Sequence, residues 1–381
     1  MDRDLLDVAL TGSDADRREA ERLVAASRQG DATPGRARAL VGAAEAAARA
    51  GGALVGDPAG GYDLVVGERT YRAGRFSTPT IGELRRRAVD AGESGATARS
   101  GERGSSPVLS VLHGGGTTAD IGALQAFAAG GTLFQVASQF NCLESPGPSL
   151  VPVADYLSDP TQGPRASIGA FPGTLLRHYA APDGAGGTFE QRAGRQVDLL
   201  ADALPAHLGA VRSGYLSAQY LADLPAVAEA LAERFEDIRV GVQDDVEVVL
   251  GAGWHGRVDG RPRIAQVLTA ALAHGGYGDG ATTGAHLDVM RQLLRAAYLG
   301  TLLGALATGR ERVVLTLVGG GVFGNPHALV VESLLWALEE LAPLARGPLE
   351  VVVNAFDLAP DARPALARAV ERTGGIWRDT A

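Results

Sequence analysis

Stretches rich in Val, Leu and Phe recur along the chain beyond residue 107: SVLHGG, GGTLFQVAS, IRVGVQ followed by DVEVVLG, RVVLTLVGG and PLEVVVNAF. A strand that is apolar on consecutive residues has to be buried on both faces. Between these runs lie segments with helical apolar spacing, VDLLADALPAHL, AVAEALAERF, HLDVMRQLLRAAYLGTLLGALATG and PHALVVESLLWALEELAPL. The alternation predicts an α/β fold in which helices cover both sides of a central sheet.

The first hundred residues read differently. Residues 14 to 51 are rich in Ala, Arg and Glu with apolar residues at helical spacing (Ala20, Leu23, Val24, then Leu40, Ala44, Ala47), and a turn-like GDATPGR divides them into two helices. An extended YDLVVGERTYRAGRFSTP follows, then a helix over Thr80 to Val89 with Thr80 as its N-cap. GESGATARSGERGSSP, at 92 to 107, has the Gly/Ser-rich composition of a linker. These features divide the chain into a mainly helical N-terminal extension with its linker, 1–106, and an α/β domain, 107–381, with a helical insertion near 181–235 that opens on the glycine-rich APDGAGGTFEQRAG.

Composition excludes several classes of function. With 44 acidic against 35 basic residues and a formal charge of -9, the chain lacks the cationic footprint of general nucleic-acid binding. Its single cysteine, Cys142, rules out an internal disulfide framework and a multi-cysteine zinc site. The N-terminal residues are acidic where a signal peptide is basic and then apolar, and no apolar run approaches the roughly 20 residues of a membrane span. A cytoplasmic protein with no membrane partner is expected, and no metal or cofactor is required.

Three loops carry chemistry. In LTLVGGGVFGNPHALVVESLLWALEEL a strand runs through Gly319, Gly320, Gly321, Val322, Phe323, Gly324, Asn325 and Pro326 into a long helix. Glycines let backbone N–H groups converge, and a helix N-terminus adds the positive end of its dipole, so a phosphate can bind without Lys or Arg. The alternative is a tight strand-to-helix turn. A second loop follows TTADIGAL, where a strand ends in a polar tip with Gln139, Asn141, Cys142 and Glu144, and a third contains Asp159, Thr161, Gln162 and Gly163 in DPTQGP. Open α/β sheets place ligands at such strand ends, although Asp120 and Asn141 are also common cap and turn residues.

The order of ADIGAL, a strand with an Asn-bearing tip, and LTLVGGGVFGNP followed by a helix and VVVNAFD resembles the macrodomain, the ADP-ribose-binding fold, over roughly residues 107 to 360. The resemblance implies a three-layer α/β/α mixed sheet. It implies that Asp120, next to Ile121, binds the adenine amino group, that Asn141 lines the distal ribose, that Gly319 to Asn325 cradle the diphosphate, and that Phe356 stacks on adenine. Ala119 stands where the family has glycine before the Asp, SQFN stands for the family's Asn-bearing strand end, and the family's glycine-rich first loop is absent after Asn141.

With ADP-ribose so placed, Glu144 and Asp159 are the carboxylates expected at the anomeric carbon, the requirement of glycosidic hydrolysis, and Thr161 and Gln162 orient the substrate. The leading expectation is an ADP-ribosyl-glycohydrolase acting on an ADP-ribosylated substrate. A non-catalytic reader of ADP-ribose or a related nucleotide is the alternative. Cysteine-based hydrolysis by Cys142, with His113 or His178 as base, is a third possibility.

Overall fold

A computed structural model describes residues 4–29, 34–96, 107–147, 149–254, 258, 260–275, 282–345 and 347–380. Helices α1 (Leu5–Thr11), α2 (Asp14–Gln29) and α3 (Pro34–Ala50) open the chain, followed by strands β1 (Leu54–Asp57), β2 (Gly61–Val66) and β3 (Arg69–Ser77) and helix α4 (Ile81–Ala96). The α/β core comprises β4 (Val108–His113), α5 (Ile121–Ala126), β5 (Thr132–Ala137), α6 (Gln162–Gly169), α7 (Phe171–Tyr179), the short pair β6 (Ala181–Pro182) and β7 (Thr188–Phe189), and α8 (Leu224–Glu233). It continues through β8 (Gly241–Glu247), β9 (Arg263–Thr269), α9 (Gly284–Ala307), β10 (Arg312–Thr316), α10 (His327–Leu341), β11 (Glu350–Ala355), α11 (Arg363–Thr373) and β12 (Trp377–Asp379).

Ten strands form one sheet among the described residues, in the order β1-β2-β3-β8-β9-β5-β10-β11-β4-β12. From β9 to β12 the strands are parallel, while β8 and the β1–β3 meander join antiparallel. Val313, Val314 and Leu315 of β10 and Val351, Val352 and Val353 of β11 are all fully buried, so both faces of the sheet are covered, as the continuous apolar runs require. Helices α4, α8, α10 and α11 group around α9 and α10. The others, α3, α5, α6 and α7, pack in sequence against one another, with α1 and α2 joined to them at α5. The expected α/β class is the class the chain adopts.

Several local readings change. The extended segment YDLVVGERTYRAGRFSTP forms most of β2 and β3, and β3 pairs with β8 and carries the meander onto the main sheet. Thr80 caps α4 through a reciprocal capping box with Glu83, Thr80 Oγ1 accepting from the Glu83 amide at 3.1 Å and the Glu83 carboxylate accepting from the Thr80 amide at 3.0 Å. The helix then continues to Ala96, into the stretch expected as linker, and residues 97–106 of that stretch lie outside the described residues, as do 30–33 of GDATPGR. VDLLADALPAHL forms turns instead of a helix: Leu199, Leu200 and Ala203 point into the core, but Pro205 denies the segment a further helical turn. Within 181–235, helix is confined to a 3-10 turn at Ala218–Tyr220, to α8 and to the start of a 3-10 turn at Phe235–Asp237.

A second hydrophobic core lies under the N-terminal segment. Val41 and Ala44 of α3, Leu64 of β2 and Tyr71 of β3 pack with Val153, Tyr156, Phe171 and Leu175, which belong to the 3-10 helix Val153–Ser158 and to α7. The extension is thus packed onto the 3-10 helix before α6 and onto α7 after it.

Candidate active site

A cleft of about 480 Å³ opens at the carboxyl ends of β5, β10 and β11, the place where a parallel sheet exposes unpaired strand ends between diverging loops. Its volume suits a nucleotide-sized ligand. One wall is the loop after β10. Gly319 has a φ of +72°, and a Cβ there would meet Ala271 and the Asn325 amide at 2.7 and 2.8 Å. Asn325, fully buried, fastens the loop from behind by donating to the carbonyls of Leu272 (2.9 Å) and Gly319 (3.2 Å). Behind the strand end, buried Tyr298 donates to the Thr316 carbonyl (2.8 Å) and accepts from the Val318 amide (3.2 Å). The amides of Gly321 and Val322 have no hydrogen-bond partner among the described residues, and both residues line the cleft. A free amide pair ahead of a helix start suits an anion.

The opposite wall is the tip after β5. Here Cys142 adopts a left-handed φ of +62°, and the turn is held by Asn141, whose Oδ1 accepts from the Leu143 amide at 2.9 Å, and by Arg177, whose Nε donates to the Cys142 carbonyl at 3.1 Å. The turn delivers Glu144 into the cleft. Glu144 Oε1 is shielded from solvent and has no hydrogen-bond partner. Burial, reinforced by the Asp159 carboxylate and opposed by the Arg177 guanidinium, holds this carboxyl well above its ordinary range. Arg177 itself is wholly buried on neutral acceptors, the Cys142 carbonyl, Gln243 and Thr174, and burial lowers it to about 10.

The third wall runs from Asp159 into α6. Asp159 terminates the 3-10 helix Val153–Ser158 and accepts from the Thr161 amide at 3.0 Å, and Thr161 is the N-cap of α6. Gly163 is what lets α6 approach so closely, because a Cβ there would lie 2.4 Å from the Ala137 carbonyl and 3.0 Å from Glu144 Oε2. Gln162 lines the cleft and accepts from the Ile121 amide at 3.2 Å, while Ile121 itself is fully buried.

A smaller cavity adjoins the first and shares Arg165 and Phe356 with it. Asp120 lines this second space, bonded to Arg165 Nη1 at 2.5 Å and capping α5 through the Ala123 amide at 3.0 Å. Phe356 is 40% exposed, unusual for so large an apolar ring, and stands between the two spaces.

The structure therefore brings Glu144, Asp159, Thr161, Gln162, Gly319, Gly320, Gly321, Val322, Phe323 and Phe356 to one cleft and leaves Asp120 next door. Asn141, Ile121, Gly324 and Asn325 do not line it. For Asn141 this is a correction with a clear cause: its amide donates to Gln196 at 2.9 Å and the Arg212–Tyr215 turn closes against it, so the insertion covers the residue expected at the ribose. Cys142 is also fully buried away from the cleft, and burial pushes its thiol up to about 12. Its supposed bases are engaged elsewhere: His113 binds Asp379 at 2.7 Å, and buried His178 stacks on Tyr179. Cysteine-based hydrolysis has no site here.

Sequence reasoning missed Gln139 as a site residue, Tyr215, Thr316, Asn354 and His327, all of which line the cleft. Gln139 Oε1, Thr316 Oγ1 and Asn354 Oδ1 are buried without partners, as Glu144 Oε1 is. Buried polar atoms are almost always satisfied, so four orphans around one cleft point to a ligand that satisfies them. Thr316 and Asn354 face each other at the ends of β10 and β11, and a polar residue ending an apolar strand run was the available signal. Among the described residues no cluster of three or more His, Cys, Asp or Glu side chains could hold a metal, and no helix is long and apolar enough to cross a membrane.

No protein-family model and no curated protein sequence matches the chain. By structure it is similar to poly(ADP-ribose) glycohydrolase from Thermomonospora curvata, at 17% identity and a TM-score of 0.43 over 89% of this chain and 99% of that one. The same enzyme bound to the inhibitor ADP-HPD gives 17% and 0.41 over 88% and 98%. Poly(ADP-ribose) glycohydrolase from Deinococcus radiodurans in complex with ADP-ribose gives 16% and 0.40 over 78% and 92%.

Proposed function

We propose that the protein is an ADP-ribosyl-glycohydrolase-like hydrolase that binds ADP-ribose and cleaves an ADP-ribosyl linkage. The observation that carries this reading is the Glu144 carboxyl, whose Oε1 is shielded from solvent and partnerless, sharing one cleft with a second carboxylate, Asp159, and with the unpartnered amides of Gly321 and Val322. An anion site and a carboxylate pair within one nucleotide-sized cleft match a substrate with a diphosphate next to a glycosidic bond.

In this arrangement the diphosphate lies on the amides of Gly321 and Val322, and the adenine extends past Phe356 to the space bounded by Asp120 and Arg165. The distal ribose then meets Glu144 and Asp159, with Thr161 and Gln162 beside it. Desolvation raises the Glu144 carboxyl and favours its protonated form, which suits it to donate a proton to the departing group as the C1 bond breaks. Asp159 stabilises the positive character at the anomeric carbon and takes the proton of the attacking water. The ring carbon thus exchanges the leaving group for hydroxyl, and the two carboxyls are restored when the proton gained by Asp159 returns, through solvent, to Glu144.

Calorimetric titration with ADP-ribose, with ADP and AMP as comparators, tests the pocket, and release of ADP-ribose from an ADP-ribosylated protein tests the chemistry. Binding lost in Gly321→Glu, together with turnover lost in Glu144→Gln and Asp159→Asn, is expected. Tight binding without turnover by the unaltered protein would make it a reader, and no binding by folded protein would remove ADP-ribose as the ligand.

A further inference from the structure

The N-terminal helix α3 reaches the site through a single carboxylate. Glu45 is almost fully buried, and its two oxygens accept from three donors: the Val153 amide at 2.7 Å and the Tyr179 hydroxyl at 2.7 Å on Oε1, and the Ala154 amide at 3.1 Å on Oε2. Val153 and Ala154 are the first residues of the 3-10 helix that ends in Asp159. A carboxylate at that point satisfies amides that have no partner within the helix and complements its positive end. Burial pushes the Tyr179 phenol up to about 12, so it remains a donor, and Arg49 supports it at 3.2 Å. Arg38, about two helical turns before Glu45, pairs with Asp155 at 2.7 Å and ties the same short helix at its outer side.

That helix ends in one carboxylate of the cleft and contacts the residue next to the other. Asp159 is its C-cap, and the hydroxyl of Tyr156 in its middle lies 3.3 Å from Ser145 Oγ, one residue beyond Glu144. Ser145 is itself the fixed end of the tip, since its carbonyl accepts from Gln139 Nε2 (2.6 Å) and from the Tyr215 hydroxyl (3.0 Å). A shift at Val153 is thus passed along six residues to Asp159 and sideways to the backbone that carries Glu144.

We infer that Glu45 is a positioning residue of the catalytic centre, and that the N-terminal segment is part of the enzyme's site and not an appendage: α3 holds the 3-10 helix that places Asp159 and buttresses Glu144. The glycine loop after β10, on the far wall, receives no such support from α3. The assignment rests on the hydrolase reading for its effect on turnover, while the mechanical link stands on the hydrogen bonds alone.

Glu45→Gln is the test. An amide keeps one acceptor but turns an N–H group toward a backbone donor, so the three bonds cannot all survive. Hydrogen exchange of peptides spanning 150–163 is expected to quicken about 10-fold while peptides spanning 317–326 keep their rates. Release of ADP-ribose should fall about 100-fold in kcat, the scale set by misplacing a catalytic group by an ångström, with the Kd for free ADP-ribose held within about threefold. Loss of folding stability alone would speed exchange in both regions and lower the binding stoichiometry along with activity. Tyr179→Phe removes one of the three bonds and leaves both amides capped, so a smaller change in the same two readouts is expected, which keeps the test available if Glu45→Gln fails to fold. Unchanged exchange at 150–163, or unchanged kcat with quickened exchange, overturns the inference. Absence of turnover in the unaltered protein would instead sink the hydrolase reading, with the exchange data still deciding the brace.

Discussion

His327 and Gly320 are joined by a hydrogen bond of 2.9 Å that fixes the tautomer of the imidazole. The other ring nitrogen, Nδ1, accepts the Ala359 amide at 2.8 Å, so Nε2 carries the hydrogen and donates to the Gly320 carbonyl. One side chain at the start of α10 thereby couples the glycine loop to the turn after β11. Its replacement in His327→Ala leaves both backbone groups without that partner, at a cost of about 1–2 kcal/mol. The loop loses its outer support at the same time. A urea denaturation midpoint lowered accordingly, together with ADP-ribose affinity weakened about 10-fold, is the expected pair of results. Unaltered affinity would mean that the glycine loop keeps its shape without the imidazole.

Neighbouring glycines of that loop should separate structure from binding. At Gly321 a Cβ has open space around it, with no protein atom within 4 Å, so Gly321→Glu is expected to fold with a melting temperature close to the parent. Its carboxylate would still occupy and charge the anion site, and calorimetry should register no ADP-ribose binding. At Gly319 the left-handed backbone and the contact with Ala271 leave no room, and Gly319→Ala should lower stability by about 1–3 kcal/mol. Equal destabilisation at both positions would refute the division.

What the sequence made legible, and what it hid, follows from the range of the interactions. The strands, the glycine loop and the DPTQGP loop are local patterns: continuous Val runs, a triple glycine before a helix, and a cap followed by glycine. Each could be placed at a strand or helix end by spacing, and Glu144, Asp159 and Gly319 to Phe323 share the cleft because all lie at one end of the parallel strands. Asn141 failed for a long-range reason, since the turn that covers it comes from the insertion some seventy residues later. Tyr215 arrives by the same route. His327 opens a helical pattern and Glu45 lies within an Ala-rich one, and nothing in the spacing of either reveals a partner far along the chain.

The state of Glu144 gives stability a specific pH dependence. Its folded-state carboxyl lies well above the ordinary 4.5, so between that value and the raised one the folded chain holds a proton that the unfolded chain has released. Stability from this group therefore falls as pH rises through that window, with a limiting slope of about 1.4 kcal/mol per pH unit. Glu144→Gln removes the slope. The variant should match the parent below about pH 4 and exceed it at neutral pH, in denaturant titrations repeated across that range, while turnover falls by orders of magnitude. In the parent, activity should decline on the alkaline side as the acid loses its proton. A variant less stable than the parent at neutral pH would show that the carboxylate form is the one the fold prefers.

Cys142 provides a test that separates reactivity from position. It lies two residues from Glu144 in the chain, yet its side chain is fully buried, and burial pushes the thiol up to about 12. Both the thiolate fraction and access are therefore too small for alkylation of the native protein. Iodoacetamide at mildly alkaline pH should leave the folded chain unmodified and label it fully in denaturant, with mass spectrometry as the readout. Cys142→Ala leaves the left-handed turn in place, because Asn141 and Arg177 hold it through the Leu143 amide and the Cys142 carbonyl. The variant should retain turnover and lose about 1–2 kcal/mol from the missing sulfur contacts. Rapid labelling of the folded protein with loss of turnover would move the chemistry from the carboxylates to the thiol.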